Sequence, residues 1–295
     1  MSSIQLLSAH DKDLGGGFDV RRLLPAAARR SVGPFVFFDH FGPIDAGPGD
    51  NHDVRAHPHI GLATVTYLFE GAMQHRDLTG VAQRIEPGAI NWMTAGRGIV
   101  HSERTPDGLR GRARRSHGLQ LWAALPEADE NLAPSFSHTP AAAIPSLHLG
   151  GASVRVLIGA AFAAASPVPT RSPTLYVDIA LSEGGSLSIA PAMARERALY
   201  AVDGSFTVDG VAVPAQTLAV LEEGAEVQIA AAQPARLVLI GGEPLGPRFI
   251  WWNFVATRKD AIERAADAWA AQPNETFPQV PGESEFIPLP SRRPL

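Results

Sequence analysis

Two short pairs of residues offer the clearest chemistry in this sequence: His57-Pro58-His59 and His101-Ser102-Glu103. In each pair the outer members stand at i and i+2, and in an extended strand such residues point to one face. If the two strands face each other inside a closed β structure, three imidazoles and one carboxylate converge on a point. That donor set suits a first-row divalent metal and leaves coordination positions open for water or substrate. The alternative is two unrelated pairs on a sheet surface. The chain has no cysteine, so thiolate ligands and disulfides are excluded and any metal falls to histidine and carboxylate.

Other residues invite weaker readings. His75 and Asp77 form a further i, i+2 pair on a nearby strand; they either orient a ligand by hydrogen bonding or sit as polar groups in a solvated hairpin. His117, alone before an apolar strand, reads as structural, and Asp39 and His40 as caps on a loop. The cluster Arg110, Arg112, Arg114 and Arg115 reads as a hydrated loop, with phosphate or an acidic partner as the other choice. Trp251, Trp252 and Phe254 read as the core of the last strand.

The elements that must position these groups are short strands. Phe35-Val36-Phe37-Phe38, Thr64 to Phe69, Met73 to Leu78, Ala89 to Met93 and Gly118 to Ala123 are apolar or β-branched runs separated by glycine and proline turns. Ile4 to Leu24, with Gly15-Gly16-Gly17, suggests an opening hairpin. From Pro126 to Pro145 the pattern dissolves, as in a linker, apart from helical turns near Glu127 to Leu132. Strands resume from Ser153 to Gly241, but no histidine follows His148, so this second half carries no comparable cluster and the metal count should be one. Lys259 to Ala271 has apolar residues at helical spacing and Pro273 after its end, predicting one helix. The proline-rich tail from Phe277 should run extended along the surface.

Composition agrees with a large globular chain: 295 residues, 45% hydrophobic and 19% charged, with 28 glycines and 25 prolines for many turns. The formal charge of −5 argues against direct nucleic-acid binding. No apolar run is long enough to span a bilayer, and the N-terminus lacks the features of a signal peptide, so a cytoplasmic, membrane-free protein is expected.

Several stretches resemble the pirin family, a branch of the cupin superfamily: Phe38-Asp39-His40-Phe41-Gly42-Pro43, Ala56-His57-Pro58-His59-Ile60-Gly61, His75-Arg76-Asp77, the run from Trp92 to Glu103, and His117 to Trp122. Phe249 to Val255 looks like the bacterial form. The resemblance implies an all-β chain of two cupin jelly-roll barrels with a short C-terminal helix. Residues 1–140 would form a metal-binding barrel, and residues 146–295 a barrel without metal, together with the helix and tail. By the family's motif the metal ligands fall on His57, His59, His101 and Glu103. Ordinary cupins place a glutamate shortly after the His-x-His pair; here Ile60-Gly61-Leu62-Ala63-Thr64 has no acid, leaving Glu103 as the carboxylate. Leu78 stands where the family usually has serine.

The resemblance further implies a non-haem metal dioxygenase that cleaves a flavonol such as quercetin with O2. Fe2+ is preferred, with Mn2+, Ni2+, Co2+ or Zn2+ fitting the same donors. Glu103 would serve as catalytic base as well as ligand. A second reading makes the protein an iron- and redox-responsive regulator that grips a protein partner without turnover, the Arg110–Arg115 loop being its contact surface. A third keeps the enzyme but gives it an unrelated small-molecule substrate. Two barrels in one chain mimic a cupin dimer, so a monomer is expected.

Overall fold

The computed structural model describes residues 4–13 and 19–291. Strands dominate, and among the described residues one α-helix occurs, Lys259–Ala270, close to the predicted span. Contacts group the chain into two compact units. One takes the N-terminal stretch through Lys12, Arg21–Asp39 and Ala142–Leu245; the other takes His40–Ala141 and Gly246–Leu295, with the residues just before Val20.

The unit that holds the candidate ligands is built from two antiparallel sheets. In the smaller, the strands lie in the order Val54–His59, Ile99–Arg104, Met73–Asp77, Ala82–Ile85. The larger runs through Ser135–Thr139, Ile90–Thr94, Leu62–Glu70 and Arg114–Ala124 to Phe35–Ala46. Alternation explains its lining: Val65 and Tyr67 bury one face of their strand, while Thr64 and Thr66 turn to the other. Two glycines allow the close approach of loops beside the site. Gly61, at φ +67°, sits where a Cβ would fall 2.0 Å from the Val255 carbonyl oxygen, and Gly96, at φ +53°, where it would fall 2.1 Å from that of Leu132.

The other unit has a seven-stranded sheet with the order Gln5–Ser8, Thr217–Val220, Glu196–Asp203, Ala235–Gly242, Thr174–Leu181, Ala152–Ile158, Ser146–Leu149. A four-stranded sheet accompanies it. Its interior is aliphatic, with Val154, Leu175, Val177, Ile179, Leu199, Ile229, Leu237 and Leu239 among its buried residues.

The opening hairpin is present in part: His10–Asp13 and Asp19–Leu24 are neighbours in the larger sheet, and the triglycine between them lies outside the described residues. Gln5–Ser8, before it, pairs antiparallel with Thr217–Val220, where a sheet edge satisfies its backbone groups. Three expectations change. The span expected as a linker holds the strand Ser135–Thr139, paired with Ile90–Thr94; its small and polar residues hid the alternation. The helix and tail, assigned by sequence to the second barrel, group with the unit that holds the histidines, because Ile262, Ala265, Ala266 and Trp269 bury against Ala56, Ile60, Val100 and Phe254. The tail itself is not simply a surface strand: Phe277 and Val280 are buried in that cluster, and burial of one such side chain contributes roughly 1.5–3 kcal/mol. Smaller shifts follow the same logic. The Phe35 strand continues to Ala46, which places Asp39 and His40 in a strand and buries both.

Candidate metal centre

The strands Val54–His59 and Ile99–Arg104 pair antiparallel, with His101 opposite His57 and Ile99 opposite His59. The side chains of His57, His59 and His101 are all buried, and one ring nitrogen from each lies within 4.8 Å of the other two. Ring centroids are 4.3 Å apart for His57 and His101 and 5.1 Å for His59 and His101.

Hydrogen bonding on the far side of each ring fixes which nitrogen faces the centre. His57 Nδ1 lies 2.8 Å from the Arg55 carbonyl oxygen and His59 Nδ1 lies 3.1 Å from that of Asn253. A carbonyl only accepts, so both Nδ1 atoms carry the proton and both Nε2 atoms keep a bare lone pair. His101 is held by a relay. Asp77 Oδ2 accepts from His75 Nε2 at 2.9 Å, which leaves His75 Nδ1 to accept from His101 Nδ1 at 3.4 Å. The Nε2 of His101 is thereby also bare, and it lies 3.1 Å from the Nε2 of His59. Three lone pairs aimed at one another repel unless a cation sits among them. The histidine triad can hold a metal ion, and this tautomer pattern is the one a metal requires.

Burial without a charged partner drives all three imidazoles towards the neutral form, His57 down to about 4 and the other two well below the ordinary value. A depressed histidine contributes stability that is present above its unfolded value of 6.5 and is lost as pH falls through the folded value, for His57 between 6.5 and about 4. Glu103 acts oppositely, burial raising its carboxyl, but one group opposes three. The metal-free protein is therefore expected to melt at steadily lower temperature as pH falls from 7 to 4. A melting temperature flat across that window would contradict neutral, buried imidazoles.

Glu103 follows His101 by two residues and stands opposite His75 in the neighbouring strand. Its carboxylate is not part of the three-histidine grouping. Gln120 Nε2 donates to its Oε1 at 3.4 Å, and the Thr66 hydroxyl lies 3.3 Å from the same oxygen and 2.9 Å from Gln120 Oε1. Both partners come from the larger sheet, so the two sheets meet at this carboxylate. A cavity of about 30 Å³ reaches Glu103 and is lined by Phe41, Leu68, Met73, His52 and Arg114, among others.

Sequence reasoning missed several of these partners. Thr66 and Gln120 carried a signal, since each is a polar residue inside an otherwise apolar strand. Phe136, whose ring stacks on His75 at 4.4 Å, lay in the supposed linker. Asn253 contributes only a backbone carbonyl, for which side-chain patterns give no sign. His40 and His117 pair with each other through Nε2 atoms 2.8 Å apart, away from the triad. The arginine loop is met locally: Arg110 by Asp53 and Asp107, Arg115 by Asp45 and Glu70, and Arg114 by the Gly47 and Asp50 carbonyls.

The family comparisons agree with this architecture. The pirin model matches residues 17–123, and the model of the pirin C-terminal cupin domain matches residues 176–275. A pirin-like protein of Caulobacter vibrioides is 46% identical, covering 97% of this chain and 98% of its own. A Pseudomonas aeruginosa protein provisionally named quercetin 2,3-dioxygenase is 38% identical, covering 90% of this chain and 83% of its own. Among solved structures, a quercetin 2,3-dioxygenase from Acinetobacter baumannii superposes with a TM-score of 0.91 at 34% identity, covering 98% of this chain and 96% of that one. With both barrels matched by family models and the histidine triad set in the first of them, the chain belongs to the pirin family of two-barrel cupin proteins.

Proposed function

We propose that this protein is a dioxygenase that cleaves a flavonol such as quercetin, using one Fe2+ held by His57, His59, His101 and Glu103. The observation that carries the proposal is the convergence of three bare imidazole nitrogens, with Glu103 two residues beyond His101 on the same strand. The names of the relatives from Pseudomonas and Acinetobacter support the substrate class. When bound, the metal supplies Lewis acidity towards adjacent hydroxyl and carbonyl oxygens and redox chemistry towards O2.

The chain's own residues do the rest. Asp77 and His75 hold His101 in the tautomer that presents Nε2. Thr66 and Gln120 fix one oxygen of Glu103, and no described residue donates to the other. With its carboxyl raised by burial, Glu103 is a stronger base than an exposed glutamate and is the residue to take the flavonol hydroxyl proton. Phe41, Leu68 and Met73 offer apolar walls to an aromatic substrate. The cavity there has room only for water-sized groups, so on this reading the half-exposed side chains of Met73, His52 and Arg114 swing outward as the flavonol enters. The regulator reading draws little support from the arginine loop, where Arg110 and Arg115 already pair with carboxylates of the protein and Arg114 with backbone carbonyls.

Anaerobic addition of quercetin to the iron-loaded protein should shift the flavonol absorption band, and admitting air should then bleach it. If neither change occurs with metal at full occupancy, the enzyme reading fails.

A further inference from the structure

We infer that the C-terminal segment from Phe277 to Ile287 is a strap that sets the geometry of the metal ligands, with Glu283 as its positioning residue. The inference rests on the reading of His57, His59 and His101 as metal ligands.

The pairing of the two ligand strands is irregular at the place where precision is needed. Between the pairs His101–His57 and Glu103–Val54 one strand advances two residues and the other three. Arg55 and Ala56 therefore face Ser102 alone, a β-bulge. A bulge releases backbone groups from the ladder and re-aims side chains, and here each released group has a defined use. The Arg55 carbonyl turns to accept from His57 Nδ1. The Ala56 carbonyl accepts from Ile287 N at 2.8 Å, next to a parallel bridge between Ala56 and Phe286. Ser102, on the strand opposite, donates its hydroxyl to Glu283 Oε1 at 2.6 Å.

Alternation places Ser102 and Arg104 on the face opposite to His101 and Glu103. Glu283 takes both: besides Ser102 it accepts from Arg104 Nη2 at 2.5 Å and from Arg104 Nε at 3.2 Å. These partners are almost fully buried, with side-chain exposures of 10% for Arg104 and 4% for Glu283. Arg104 also lies 3.7 Å from Asp53 Oδ2 and 3.3 Å from Glu285 Oε2, so it keeps two carboxylates if the charge of Glu283 is removed. Phe277 and Val280 seat the same segment in the apolar cluster that contains Ala56 and Val100, neighbours of His57 and His101. One segment thus grips both ligand strands from behind. A metal site tolerates ligand displacements of only about 0.5 Å before affinity and geometry suffer, so releasing the strap should be felt at the metal.

The test uses Co2+, whose visible absorption reports ligand geometry. The wild-type protein should bind one Co2+. Glu283→Gln keeps the side-chain shape and removes the charge; it is expected to weaken Co2+ binding by about 10-fold or more and to shift the absorption bands. A segment that merely closes the fold would lower the melting temperature and leave both readouts alone. Affinity within about twofold of wild type together with a superimposable spectrum would overturn the inference. Should Glu283→Gln fail to fold, Ser102→Ala, which deletes one hydroxyl, decides by the same two readouts. If the wild type takes up no Co2+, the metal reading itself falls and the strap with it; Co2+ uptake with insensitive variants rejects the strap alone.

Discussion

Replacing His57 by alanine is expected to strip the protein of its metal. Elemental analysis of the purified wild type should find one first-row ion per chain, and the variant almost none. Loss of groups that merely orient a ligand typically costs 10- to 100-fold in affinity, so loss of one of three converging nitrogens should cost more than about 100-fold. The fold should survive. The change empties space beside the centre, leaves only the Arg55 carbonyl without its partner, and relieves the mutual repulsion of three lone pairs in the metal-free state. Wild-type metal content in the variant would show that the triad is not the site.

Glu103→Gln should separate holding the metal from using it. The amide keeps the shape, and Gln120 can still donate to its carbonyl oxygen as it does to Oε1 now. It cannot accept a proton from a substrate hydroxyl. The variant is expected to retain a measurable part of its iron and to lose turnover by about 10²- to 10⁴-fold, the usual contribution of a positioned base. Iron content and quercetin consumption measured on the same sample give both numbers. Turnover within about tenfold of wild type at equal iron would remove Glu103 from the role of base.

The sequence was most legible where a short-range rule sufficed. The i, i+2 spacing of His57 with His59 and of His101 with Glu103 is a property of any extended strand, and it put each pair on one face before any tertiary contact was considered. Helix periodicity from Ile262 to Trp269 was equally local, and the structure places Lys259–Ala270 there. Where small residues broke the alternation, as around Phe136, the strand and its contact with His75 stayed hidden.

By itself, then, the sequence determined the all-β class, the half that holds the histidine triad and the residue types offered to a cation, because strand alternation and donor chemistry act over a few residues. Tertiary structure decided what lies far apart in the chain. It brought Asn253 to His59 and placed Thr66 and Gln120 at Glu103. It also laid the tail across Ala56 and Ser102 from 181 residues away from the latter. Backbone carbonyls, a bulge and buried tail residues leave no periodic trace, since they answer to the unmet hydrogen bonds and apolar surface of partners that only the folded chain brings near.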